Sequence, residues 1–129
     1  MKIINLIISL IICISALTSC SGNSGNEAVP QNVIDVEYVD MMNAYHSNEV
    51  QGDNLYKGKT VRIKAIVESV TKSLGDIDVM LVGNAQCKLK EGQSSKAATL
   101  KNGDWVTIQG RCSGLFLGTA LFGDCEIIQ

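Results

Sequence analysis

The chain of 129 residues has few of the side chains on which most enzymes and nucleic-acid-binding modules depend. It has one histidine, His46, and no serine or cysteine in a Gly-x-Ser-x-Gly nucleophile context. It has 11 basic and 13 acidic residues, so the surplus of basic residues that is typical of nucleic-acid-binding modules is missing. None of its aromatic residues lies between Lys57 and Asp104, so the first strands of any sheet there have no stacking platform. These shortages favour a protein that is not an enzyme and needs no cofactor.

Long hydrophobic runs are also missing, except at the start of the chain. Lys2 is followed by an apolar stretch over residues 3–17, which only Asn5, Ser9 and Ser15 interrupt. Crossing a bilayer takes about 20 predominantly apolar residues, and this run is shorter. A positive start followed by a short apolar segment is typical of a signal peptide, so we predict a cleaved leader over residues 1–19.

Leu17-Thr18-Ser19-Cys20, at the junction of the leader and the mature chain, resembles the lipobox of bacterial lipoproteins. The resemblance implies cleavage before Cys20 and acylation of its sulfur and of the new amino terminus. Two or more acyl chains hold a protein stably on a membrane, because each buried methylene contributes about 0.8 kcal/mol. An ordinary secretory signal and an uncleaved anchor are the alternatives. We expect a protein in the cell envelope, its domain facing the periplasm or the exterior; Ser21, which is not acidic, favours the outer membrane over the inner.

A linker and one domain are expected after Cys20. Residues 21–31 read SGNSGNEAVPQ and contain the only proline, Pro30, which is linker composition. We therefore divide the chain into a signal peptide (1–19), a lipidated cysteine with a flexible tether (20–34) and a domain (35–129). Just under 100 residues suffice for one modest core. Because Lys2 leaves with the leader, the mature chain has a net charge of about −3.

The periodicity of the domain predicts one helix followed by a sheet. Val36, Val39, Met42 and Tyr45 recur at helical spacing, so we predict one amphipathic helix between Asp35 and Val50, with Asp35 as its cap. Apolar and polar residues then alternate in five segments, with turn signals between them. Residues 91–100 are expected to form a loop or one short helical turn. The predicted fold is a β-dominated, five-stranded barrel with an N-terminal helix; the predicted strands are 60–70, 77–82, 85–90, 105–112 and 119–128.

Several motifs resemble the tRNA_anti-like family, bacterial envelope proteins with an OB-fold. They are Asn48-Glu49, Tyr56-Lys57-Gly58-Lys59, the strand Gly103-Asp104-Trp105-Val106-Thr107-Ile108-Gln109-Gly110 with its continuation to residue 114, and Cys125-Glu126-Ile127. The resemblance covers about residues 35–129 and implies an OB-fold and a nucleic-acid-binding label. The chain departs from OB-folds in general because its helix precedes the barrel and no long helix separates the third and fourth strands. Fold alone does not imply function.

Three cysteines remain in the domain. A hairpin about Leu117-Gly118 would place Cys112 opposite Cys125, which makes this pair the preferred disulfide. Cys87 paired with either of them is an alternative, because the third and fifth strands of an OB barrel are neighbours; three buried free thiols are another. The close cysteine spacing of a structural zinc site is absent, so no metal is expected.

The candidate ligand-binding residues are basic. Strand alternation places Arg62 and Lys64 of the first strand outward, together with Lys88 and Lys90 of the third. Lys57 and Lys59 lie at the entry to the first strand. Such a stripe is suited to phosphates, whereas a solvated face is its ordinary interpretation. Trp105 is predicted to be either a lid on the helix, which we favour, or an exposed contact.

Three classes of function remain open. The leading one is a lipid-anchored binding module for an envelope protein or another envelope component, which the tether and the negative charge favour. The second is binding of an oligonucleotide or other polyanion through Arg62, Lys64, Lys88 and Lys90. A small-molecule pocket in the barrel mouth is the third, and it is disfavoured because the apolar inward faces fill a small barrel.

Overall fold

The computed structural model describes residues 32–128, so the leader, Cys20 and residues 21–31 lie outside the described residues. No helix in the described part is long and apolar enough to cross a membrane. The elements, in chain order, are β1 (Ile34–Asp35), α1 (Tyr38–Ser47), α2 (Glu49–Tyr56), β2 (Thr60–Ser73), β3 (Asp76–Leu81), β4 (Ala85–Leu89), α3 (Ser94–Ala97), β5 (Trp105–Phe116) and β6 (Thr119–Ile127).

Strands β2 to β6 form a closed five-stranded barrel, which confirms the predicted OB-fold. Their order is β2-β3-β4-β6-β5, and pairing of β5 with β2 closes the barrel. The first half of β2 pairs with β5 and its second half with β3, so this strand belongs to both sides of the barrel. The β4–β6 pair is parallel, whereas the other pairs of the barrel are antiparallel. Strand β1 adds a short parallel pairing beside the start of β2.

Alternation along β2 places its apolar residues in the core, as the sequence predicts. Val61, Ile63, Ala65 and Val67 are buried, and the residues between them face outward. A register shift between Val67 and Ser69 marks a bulge, where the strand bends from one partner to the next. The strand is three residues longer than the segment predicted from the sequence, because Thr71, Lys72 and Ser73 continue the antiparallel pairing with β3.

The predicted single helix is two helices in the structure. Asp35 does not cap it, because this residue belongs to β1 and the helix begins at Tyr38, after Glu37. Asn48 ends α1 in an extended conformation, and its side chain accepts a hydrogen bond from the Gln51 backbone at 3.2 Å. Asparagine is among the best N-cap residues, so Asn48 closes one helix and starts the next.

The two ends of the barrel are covered differently. Helices α1 and α2 lie at the end where β2 begins, which we call the helix-capped end. There a Cβ on Gly83 would contact the Tyr38 ring, and the Tyr45 hydroxyl is 3.4 Å from the Cys112 Sγ. The short α3 covers the other end, and Gln93 just before it accepts a hydrogen bond from the Ile127 backbone. The predicted short helical turn is therefore present.

Candidate ligand-binding face on strands β2 and β5

The four basic residues singled out in the sequence do not form one stripe. Strand β4 pairs with β3 and β6 and not with β2, so Lys88 lies on another part of the barrel surface from Arg62 and Lys64. Lys90 follows β4 and binds Glu126 of β6, which pairs with Gln109, and Gln109 in turn accepts a hydrogen bond from Arg62. The structure therefore brings three of the four residues near one face.

Arg62 lies at the centre of this face and is already engaged. Its guanidinium donates to the Asp35 carboxylate at 3.2 Å and to the Gln109 side-chain oxygen at 3.1 Å. Its Nε is buried and has no partner among the described residues. The pair with Asp35 is largely exposed, and exposed ion pairs contribute only about 0 to 1 kcal/mol. An incoming anion can therefore replace Asp35 at small cost.

Lys88 and Lys90 each have an acidic partner as well. The Lys88 Nζ is 2.6 Å from the Asp76 carboxylate, and this hydrogen bond raises the pKa of Lys88. The Lys90 Nζ is 2.7 Å from the Glu126 carboxylate and holds the pKa of Glu126 below its usual range. Both pairs are at the surface. The positive charge that the sequence suggests for these positions is therefore largely balanced by neighbouring acids.

Trp105 is an exposed contact and not a lid on the helix. Its side chain is 63% exposed at the start of β5, whereas α1 and α2 pack at the helix-capped end. The Lys64 Nζ lies 5.7 Å from the centre of the ring, within the range of a cation–π interaction. The favoured prediction of a lid was wrong because α1 and α2 lie at the end where β2 begins, whereas Trp105 pairs with Ile66, far from that end.

Together the outward side chains of β2 and β5 form one continuous surface, which we call the β2–β5 lane. It runs over the seven residues of β5 from Trp105 to Arg111, about 20 Å at the rise of a strand. It has an aromatic ring at one end and cations along its length. Its cross-strand pairs are Ile66 with Trp105, Lys64 with Thr107, Arg62 with Gln109 and Thr60 with Arg111.

Arg111, at the other end of the lane, is a candidate that the sequence analysis missed. Its side chain is exposed, and no described residue forms a hydrogen bond or ion pair with its guanidinium. It borders a polar concavity of about 110 Å³ shared with Lys90 and Gln109, and a wider one of about 470 Å³ shared with Lys59. The alternation that buries Val106, Ile108 and Cys112 could have placed Arg111 on the same outer face as Trp105.

A third concavity, of about 220 Å³, lies beside Arg62 and Lys64. Three depressions therefore border the β2–β5 lane. The lane has the space, the hydrogen-bonding groups and the replaceable charges to hold an extended ligand. No group of three or more metal-ligating side chains exists among residues 32–128, and His46 is exposed on α1.

The cysteines are arranged differently from the preferred disulfide. Cys87, Cys112 and Cys125 are buried free thiols. Register shifts in the β5–β6 pair place Phe122 opposite Cys112, while Cys125 packs beside Gly110. A hydrogen bond with Cys125 and burial raise the pKa of Cys87 well above its usual value. The neighbouring pair is thus Cys87 with Cys125, because the bulges displace Cys125 from the position that simple alternation predicts.

Comparison with known proteins agrees with this fold. The family model described as tRNA_anti-like matches residues 1–126. No curated protein matches the chain significantly. A crystal structure named as a "putative nucleic acid-binding lipoprotein" from Klebsiella pneumoniae subsp. pneumoniae MGH 78578 is similar, with a TM-score of 0.58 and 13% identity over 75% of this chain and 92% of that chain. Asparaginyl-tRNA synthetase from Entamoeba histolytica, solved with asparaginyl-adenylate, is similar over 76% of this chain and 24% of its own, with a TM-score of 0.50 and 15% identity.

Proposed function

The chain belongs to the tRNA_anti-like family, and we propose that it is a membrane-tethered binding protein whose β2–β5 lane holds single-stranded nucleic acid. The name of the Klebsiella neighbour supports both parts of this proposal, the lipoprotein and the ligand class. The proposed role is binding and not catalysis. The lane differs from the face that many OB-folds use, which lies on their second and third strands.

The observation that carries the proposal is the exposed Trp105 with the Lys64 ammonium beside it. A base can stack on the indole while a cation nearby holds a phosphate, which is how sequence-tolerant single-strand binders work. Further along the lane, Arg62 and Arg111 can contact the following phosphates. The missing aromatics between Lys57 and Asp104 therefore do not exclude stacking, because the stacking residue is on β5.

The expected affinity is modest and depends on salt. Stacking on one aromatic ring is worth about 1 to 3 kcal/mol per base. Each neutralised phosphate of a single strand adds about −0.7 to the slope of log K against log salt. Three cations along the lane therefore predict a slope of about −2, which is shallow for a nucleic-acid-binding protein.

The proposal is tested by binding of labelled single-stranded DNA and RNA to the purified protein at 50 and 200 mM salt, about a fourfold range that resolves this slope. We expect Trp105→Ala to weaken binding about 5-fold to 150-fold, the loss of one stacked base. Arg111→Gln should weaken binding and lower the salt slope by about 0.7. Lys72→Gln is the matched control, because Lys72 is exposed on the part of β2 that pairs with β3. Equal effects of all three changes would argue against the lane.

Recognition of a protein is the second candidate function. A row of interspersed acidic, basic and amide side chains crosses the sheet; it consists of Asp35, Arg62, Gln109, Glu126 and Lys90. Interspersed charges suit a complementary protein surface better than a uniform polyanion. Co-purification from detergent-solubilised envelope, compared between the native chain and Cys20→Ala, would reveal such a partner and show whether its capture needs the anchor.

Anchoring through Cys20 is part of the proposal and has its own test. When cells that express the protein are grown with labelled palmitate, we expect the native chain and the Cys13→Ser variant to incorporate the label. The Cys20→Ser variant should not. Cys13 is a suitable control because it lies inside the apolar segment and outside the Leu17-Thr18-Ser19-Cys20 motif. Label that persists in Cys20→Ser would contradict acylation at this residue.

A further inference from the structure

The β5–β6 hairpin exposes two large apolar side chains at its tip. Phe116 is 63% exposed and Leu117 is 90% exposed. They are neighbours in sequence, and they lie at the end of the antiparallel β5–β6 pair. The β2–β3 hairpin also has an exposed leucine, Leu74, but Ser73 precedes it in place of an aromatic residue.

Leu117 occupies a backbone conformation that does not favour leucine. Its φ is +49° and that of Gly118 is +79°, as in a two-residue type I′ turn. Asparagine and glycine are preferred in such turns because a branched side chain is strained in the left-handed region. Neither the turn nor the core requires this leucine. The turn at Leu74-Gly75 has the same conformation, with φ of +51° and +94°, so the feature that distinguishes the β5–β6 tip is the exposed Phe116 next to its leucine.

The tip projects from the same end of the barrel at which the chain enters the domain. Strand β1 runs parallel to β2, so Asn32 lies near the start of β2, where it borders the concavity with Lys59 and Arg111. From Arg111, strand β5 continues for five residues to Phe116, about 16 Å further in the same direction. The tether side and the hairpin tip therefore both belong to the helix-capped end.

The chain before Asn32 keeps this end close to the membrane. Eleven residues separate Cys20 from Asn32, and they span at most about 40 Å when fully extended. A domain on so short a tether presents its attachment end to the bilayer far more often than its opposite end. An exposed Phe-Leu pair at that end meets the interface between head groups and acyl chains, where apolar side chains are stabilised.

From this arrangement we propose that Phe116 and Leu117 insert into the bilayer to which the chain is anchored. The proposal rests on the membrane anchoring proposed above, and its ligand is the phospholipid surface itself. Insertion orients the domain: the Arg111 end of the β2–β5 lane lies near the membrane and the Trp105 end lies away from it.

The test measures contact with lipid by the fluorescence quenching of a single tryptophan placed at one of two positions. Trp105→Phe removes the only natural tryptophan, and either Phe116→Trp or Ser73→Trp is then added. These two positions are matched, because each is the last strand residue before a leucine-glycine turn and each is exposed. A hexahistidine tag replaces residues 1–20 and holds the protein on vesicles that contain nickel-chelating lipid. The result is then independent of acylation at Cys20, which the palmitate experiment measures separately.

With brominated acyl chains in the vesicles, we expect the tryptophan at position 116 to be quenched at least threefold more than the one at position 73. Replacing Leu117 by Asn in the first variant should reduce this quenching, because half of the apolar tip is lost while the turn is kept. Equal quenching at the two positions would overturn the proposal. So would a blue shift of the emission at position 116 that rises with protein concentration without vesicles, which would indicate contact with a second copy.

Discussion

At the scale of single residues, Gly110 is the tightest point of the barrel wall. A Cβ at this position would lie 2.5 Å from the Cys125 Sγ and 3.2 Å from the Gly123 carbonyl oxygen. The glycine is required here because two strands approach each other at a bulge, and not because of its φ. The short distance between β5 and β6 also brings Cys125 inward, beside Cys87.

We predict that Gly110→Ala lowers the free energy of unfolding by about 1 to 3 kcal/mol, the usual cost of overpacking. Urea unfolding of the purified domain measures this difference. Gly123→Ala is the control on the opposite strand, since a Cβ there meets nothing within 4 Å and its φ is not in the left-handed region. We expect it to change stability by less than about 0.5 kcal/mol. Equal losses in the two variants would contradict the close approach at Gly110.

The sequence could predict which way many side chains point, but it could not predict their partners. Strand alternation places Arg62 and Lys64 outward, and it could have placed Arg111 there too. The pairs of Arg62 with Asp35 and of Lys90 with Glu126 span 27 and 36 residues of sequence. Such contacts depend on how strands meet in the closed barrel, and the periodicity of one strand carries no information about them.

At the scale of elements, β1 modulates the lane through Asp35. This residue is on the short strand beside the start of β2, and it occupies one side of the Arg62 guanidinium. A phosphate that binds to the Arg62 guanidinium must either displace the Asp35 carboxylate or bind next to it. Strand β1 therefore affects how much positive charge the lane offers.

We predict that Asp35→Asn tightens binding of single-stranded nucleic acid and steepens the salt slope by about 0.7, because one more cation becomes available to a phosphate. Titrations at several salt concentrations measure both quantities. Asp76→Asn is the control, since it frees Lys88 on a part of the surface outside the lane. A larger gain from Asp76→Asn than from Asp35→Asn would place the binding surface on β3 and β4.

The split of the predicted helix shows where element prediction fails. A helix is present in the predicted segment, but its buried face consists of Tyr38, Met41, Met42 and Tyr45. Of the predicted apolar residues, Val36 precedes the helix and Val39 is 66% exposed. A Cβ on Gly52 would lie 2.4 Å from the Tyr45 ring, so α2 packs closely on α1. Asn48 makes this turn between the helices, and a single asparagine in a polar segment is a weak signal until the packing is known.

At the scale of the whole molecule, the alternation of five segments predicts a small barrel and the family resemblance implies its OB-fold, whereas the bulges in the barrel are not predictable from either. Three pairs of strands contain register shifts: β2 with β3, β4 with β6, and β5 with β6. Each shift moves residues relative to simple alternation. This is why the strands were predicted well, while the opposition of Cys112 and Cys125 was not.

The whole molecule also combines two proposed surfaces in one orientation. Insertion of the β5–β6 tip would fix the helix-capped end at the membrane, and the β2–β5 lane would then extend outward from it. A ligand in the lane would be reached from the aqueous side at Trp105. The proposed tether and the β5–β6 tip would thus hold the domain at the membrane surface, and the β2–β5 lane would bind the ligand there.

The central claim, that the β2–β5 lane holds single-stranded nucleic acid, is tested most directly by the fluorescence of Trp105. Because this is the only tryptophan in the chain, its emission reports on the lane alone. On titration with an oligothymidylate at 50 mM salt we expect quenching that saturates, and weaker binding at 200 mM salt. Binding of the oligonucleotide without any change in Trp105 emission, or no binding at 50 mM salt, would contradict the account.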